Sequence, residues 1–188
     1  LLSTGAAGAL GSSGEIKLQS GDATSQNSGV VSIVTGSSNI GASGSISMVV
    51  GSSSAGEAGD VTVIAGISES STGGAIKIQS GASTNAASGA LLLQTAAGTD
   101  STSSGAASLA TGSTADGNVG EIKMSTGDAS DGRGGSILLS VGSSTNNIGG
   151  SVNMQAGSST ALTGGSIIFS SGQSTAGASG GVNIKSAA

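Results

Sequence analysis

Apolar side chains recur two residues apart along the chain, and each such pair is followed by a longer stretch of small and polar residues. The pairs are Ile16 and Leu18, Val31 and Ile33, Ile46 and Met48, Val61 and Val63, Ile76 and Ile78, and Leu91 and Leu93. They continue with Ala107 and Leu109, Ile122 and Met124, Ile137 and Leu139, Val152 and Met154, Ile167 and Phe169, and Val182 and Ile184. A spacing of two predicts an extended segment with one apolar face. The residues between, such as Glu15, Lys17 and Gln19 or Ser151, Asn153 and Gln155, fall on the opposite face.

The pairs keep a fixed place in a fifteen-residue unit. Its first position is glycine at Gly14, Gly29, Gly44, Gly59, Gly74 and Gly89 and, after a one-residue insertion within 99–104, at Gly105, Gly120, Gly135, Gly150, Gly165 and Gly180. The apolar residues occupy positions three and five. Position seven is small or β-branched (Ser20, Thr35, Val50, Ala65). Position eight is glycine again in most units, with Ala96 and Ala187 as exceptions. Two glycines per unit predict two tight corners, since glycine tolerates positive φ. After the second corner comes a segment of Ser, Thr and Ala, as in Ser143-Ser144-Thr145 and Ser158-Ser159-Thr160, then a variable stretch.

Residues 1–188 therefore read as one continuous array of twelve unit starts. Internal repetition of this length predicts an all-β architecture, a flattened β-solenoid (β-helix) of twelve fifteen-residue repeats. One repeat per coil is preferred over two, because odd and even units do not alternate. An antiparallel meander is less favoured, because no hairpin turn chemistry accompanies the strands.

Composition narrows the picture further. The chain has 36 glycines, no Pro, Cys, His, Trp or Tyr, and Phe169 as its one aromatic, so a core of large side chains is not available. The regular branched aliphatics set it apart from a flexible Gly/Ser linker. Five basic residues against ten acidic ones, a formal charge of -5, leave no basic patch for nucleic acid. Apolar runs such as Met48-Val49-Val50 and Ile167-Ile168-Phe169 are far shorter than the ~20 residues of a membrane-spanning helix.

Candidate chemistry is sparse. Gly177-Ala178-Ser179-Gly180-Gly181 matches the G-x-S-x-G nucleophile pattern. With no histidine to serve as base, Ser179 reads as a residue of the repeat boundary. Asp128 and Asp131 offer carboxylates for a weakly held calcium ion, but a calcium site built into the repeat would recur in every unit, so they read as solvated acids at a corner. Glu15 with Lys17, and Glu121 with Lys123, read as exposed charge pairs. No catalytic residue, cofactor or metal is expected, and the chain is read as a non-enzyme. At position eleven, Thr24, Thr84, Thr145, Thr160 and Thr175 resemble the hydroxyl rank of insect ice-binding solenoids, but Asn39, Ser54, Glu69 and Ala115 interrupt it.

Bulky apolar residues also stand on the outward face, at Val34, Val49, Ile64, Leu92, Leu138 and Ile168. They form a candidate assembly face. Neither end carries a recognisable polar cap, which predicts a longer array or end-to-end stacking.

The unit Gly-x-Ile-x-Leu-x-Ser-Gly-x-Ser-Thr, seen in Gly74-Ala-Ile-Lys-Ile-Gln-Ser-Gly81 and Gly165-Ser-Ile-Ile-Phe-Ser-Ser-Gly172, resembles the Gly/Ser-rich short tandem-repeat β-solenoid proteins of algal and protist cell surfaces. That resemblance implies an extracellular or cell-surface structural role as filament, fibre, appendage or stalk, with self-association as the main contact and a glycan as a further candidate partner. The alternative is a surface-binding module for ice or polysaccharide.

Overall fold

A computed structural model describes residues 1–9, 11–99 and 102–186. Two units are distinguished, Leu1–Leu92 and Leu93–Ala188. Among the described residues there is neither helix nor strand. This overturns the β-solenoid or β-helix reading, and with it the thirty-residue coil and the meander, all of which require paired strands.

The physical reason lies in where the backbone hydrogen bonds go. Among the described residues, main-chain bonds link glycine to glycine across a loop or close a short turn: Gly74 to Gly66, Gly89 to Gly81, Gly165 to Gly157 and Gly180 to Gly172, each at 2.9 Å, with shorter turns at Gly11 to Gly8 and Thr102 to Thr99. No bond runs from an apolar segment to its counterpart one unit later. Alternation determines which side chains share a face, but a ladder also needs a neighbouring backbone in register. Where these glycine bonds form, the loop closes on itself and the segments beside it stay without a main-chain partner.

Both units are built in this way. An apolar segment at positions two to seven (for example 75–80 or 166–171) leads into a loop running from position eight to the next position one. Within the loop the chain bends over three residues, at 24–26, 39–41, 54–56, 69–71 and 84–86 in the first unit, and at 115–117, 130–132, 145–147, 160–162 and 175–177 in the second. Every one of these bends begins at position eleven.

At its base each loop is pinched against the residue at position seven. A Cβ on Gly29 would lie 3.3 Å from Ser20 Cβ, one on Gly59 3.2 Å from Val50 Cγ1, and one on Gly135 3.1 Å from Thr126 Cβ. Position one is closely approached at Gly29, Gly59, Gly74, Gly135 and Gly150, where a Cβ would lie 3.3 Å or less from the position-seven side chain, and meets only ordinary contact of 3.6 to 3.9 Å at Gly89, Gly105, Gly120 and Gly180. It is not a positive-φ corner: among the described glycines none lies in the left-handed region. The glycine-corner expectation is corrected accordingly. Two loops are one residue longer, since Gly14 meets Thr4 and Gly105 meets Thr95 at ten residues' separation, where Gly29 meets Ser20 at nine. Each unit thus opens on a longer loop. The insertion within 99–104 belongs to the second of these, where Thr99 and Thr102 bond reciprocally: the Thr102 hydroxyl donates to the Thr99 carbonyl at 2.6 Å and accepts from the Thr99 N–H at 3.0 Å. Residues 100–101 and the Ala187 exception lie outside the described residues.

No hydrophobic residue is buried among those described. The accessible surface is 18,521 Å² for a 17.1 kDa chain. A compact monomer of that mass would expose about 7,800 Å² and a fully unfolded one about 24,800 Å². The loops carry mostly Ser, Thr, Ala and Gly, so they offer no second apolar wall against which the segments could close.

Candidate functional site: an assembly surface

The alternation seen in the sequence is present as a gradient of exposure. Large side chains at position three are 48 to 62% exposed and those at position five 57 to 85%. The six outward residues are more open still: Val34, Val49, Ile64, Leu92, Leu138 and Ile168 range from 75 to 87%. Val34, Val49 and Ile64 occupy position six, while Leu92, Leu138 and Ile168 occupy position four. The first four belong to the first unit and the last two to the second. Further apolar residues project from the loops, notably Ile40, Ile67, Ile148 and Leu162.

The loops are held by a device that pattern reading missed. At position ten a hydroxyl accepts the N–H of position thirteen: Ser38 from Gly41, Ser53 from Gly56, Ser68 from Ser71 and Ser83 from Ala86. The same bond recurs as Thr114 from Gly117, Ser144 from Asn147, Ser159 from Leu162 and Ser174 from Gly177. These bonds are 2.9 to 3.2 Å long. Each is a local side-chain cap on a turn, the role for which Ser and Thr are suited. Ser or Thr at one fixed place in so many units was the available signal. It is obscured because hydroxyls are common throughout the chain.

Ala23 and Ala129 stand at position ten in the two units without this hydroxyl that also carry Asp at position nine (Asp22, Asp128) and a Glu-x-Lys segment (Glu15 and Lys17, Glu121 and Lys123). The charged units are therefore also the ones whose bends lack the cap.

The remaining candidates fall into place within the loops. The Ser179 hydroxyl accepts the Ser174 N–H at 3.2 Å, bracing the loop that Gly180 closes onto Gly172. Asp128 precedes the bend at 130–132 and Asp131 lies within it, and no group of three or more His, Cys, Asp or Glu that could hold a metal ion occurs among the described residues. Thr24, Thr84, Thr145, Thr160 and Thr175 are each the first residue of a bend, as are the interrupting Asn39, Ser54, Glu69 and Ala115. No pocket is present among the described residues. No helix among them is long and apolar enough to cross a membrane. What remains is a set of exposed apolar pairs on segments without main-chain partners among the described residues, recurring every fifteen residues. Comparison with protein-family models, with curated proteins and with solved structures finds no match to this chain.

Proposed function

We propose that this chain is a structural repeat protein that completes its fold by self-association, building an extracellular or cell-surface filament, fibre, appendage or stalk. The observation that carries this reading is the accessible surface of 18,521 Å² with no hydrophobic residue buried. Large apolar side chains repeat at fixed positions without a wall to meet, and an exposed apolar surface of that extent favours association. The extracellular setting rests on the Gly/Ser repeat resemblance.

Sedimentation velocity combined with electron microscopy over a thousandfold range of concentration tests the proposal. Growth into elongated particles as concentration rises is the expected result. A monomer at every concentration overturns it.

A further inference from the structure

The apolar segments lack not only a wall for their side chains but also partners for their main chain. Four loop bases are closed within the chain, where Gly74 bonds Gly66, Gly89 bonds Gly81, Gly165 bonds Gly157 and Gly180 bonds Gly172. Between those bases, in segments such as 75–80 and 166–171, no backbone group bonds another backbone group among the described residues. Such a segment is an open template on both edges. A further oddity lies beside it. At position eight, Gly21, Gly36, Gly51, Gly66, Gly81, Gly112, Gly127, Gly142, Gly157 and Gly172 have nothing within 4 Å of where a Cβ would sit, and none has positive φ. Nothing within the chain requires glycine there, whereas close approach of another backbone would.

Building on self-association, we infer that the partner of each apolar segment is the same segment of a second copy, running parallel and without offset, joined through the main chain into a sheet made between chains. Three observations select this occupant. First, the excess surface over a compact monomer is about 10,700 Å², whereas a standard interface covers about 800 Å² per partner, so only contact along the whole repeat removes it. Second, a surface that matches unpaired segments at every fifteen residues is the chain's own. Third, the repeat slips by one residue between Gly89 and Gly105. A copy with no offset meets that slip with its own and stays matched on both sides. A copy shifted by one unit loses the match between the two slips. Unshifted parallel pairing also sets each open position-eight glycine beside its equivalent, so that neither backbone meets a side chain there.

The chain contains no cysteine, which permits a direct test. Nitroxide labels on Ser32→Cys and, separately, on Asn153→Cys place a probe at position four in each unit. In assembled protein, unshifted parallel pairing stacks the labels at about 4.8 Å, the strand spacing. Their spectrum should then collapse to one exchange-narrowed line, and tenfold dilution with unlabelled chain should restore three lines. Assembled filaments that keep three separate lines at both sites overturn the pairing and leave self-association standing. A wild-type chain that never assembles overturns both. Should a label block assembly, amide exchange of the unlabelled filament decides: protection across 75–80 and 166–171 sustains the pairing, and exchange there at the free rate removes it.

Discussion

Residues 66–74 and 75–80 are neighbours in sequence and opposites in structure. In the loop 66–74, the Ser68 hydroxyl accepts the Ser71 N–H at 3.0 Å, and the Gly74 N–H closes the base onto Gly66 at 2.9 Å. The adjoining segment 75–80 has Ile76 and Ile78 more than half exposed and no main-chain partner among the described residues. The loop is complete within one chain; the segment is half of something. The difference follows from reach. A hydroxyl three residues away needs no long-range closure, whereas a strand edge needs a second backbone brought alongside.

The sharpest way to break the contrast is to remove the apolar pair. If Ile76 and Ile78 are buried between copies, each contributes about 1.5 to 3 kcal/mol. Replacing both with Ser should raise the concentration for half-assembly about a hundredfold or more, read by sedimentation. Exchange of the Gly74 amide in the monomer should be unchanged, because the loop does not depend on the pair.

Glycine substitutions separate the two regions next. A Cβ on Gly74 would lie 3.2 Å from the Gly66 nitrogen and 3.3 Å from Ala65 Cβ. Gly74→Ala should therefore weaken a bond worth about 1 kcal/mol, and exchange of the residue-74 amide should accelerate about fivefold in the monomer. Gly81→Ala meets open space within the chain and should leave monomer exchange unchanged while reducing assembly. Equal effects of the two substitutions in the monomer would erase the distinction between the two glycine rows.

Smaller effects belong to the caps. Ser83→Ala removes the acceptor for the Ala86 N–H at 3.0 Å, and exchange at Ala86 should quicken by up to about fivefold, an exposed bond being worth at most about 1 kcal/mol. Ala129→Ser should slow exchange at Gly132 by a similar or smaller factor. The smallest change is expected from Glu121→Gln with Lys123→Gln in the monomer, within about 0.5 kcal/mol because exposed charges contribute little. In the unshifted assembly each of these charges meets its own copy, so its removal should favour assembly at low salt. Salt titration of assembly by light scattering checks this.

The legible part of this fold was its phase. Bends begin at position eleven in each unit where they occur, and Ile76 and Ile78 are less exposed than Ile64 or Leu138, as alternation predicts. What misled was the step from alternation to a coil stacked on itself. Periodicity records that Ile76 and Ile78 share a face, but it carries no information on which chain supplies the opposite one. Glycine was misread for a similar reason. Gly59 is closely approached by Val50, nine residues away, and has no positive φ. The Ser83 cap depends on local geometry, and its signal is the Ser or Thr that recurs at position ten. Val34, Val49, Ile64, Leu92, Leu138 and Ile168 were recognisable as bulky outward residues, but their scatter over positions four and six left their arrangement open.

Hydrogen exchange on one sample, followed from dilute monomer to assembled protein, tests the central claim most directly. The loop amides of Ser71, Gly74 and Ala86 should keep nearly the same rates throughout. The amides of 75–80 should pass from free exchange to strong protection as the chain assembles. Strong protection of 75–80 in the dilute monomer, or free exchange there in the assembled state, would contradict a chain whose loops are complete alone and whose apolar segments are completed by other copies.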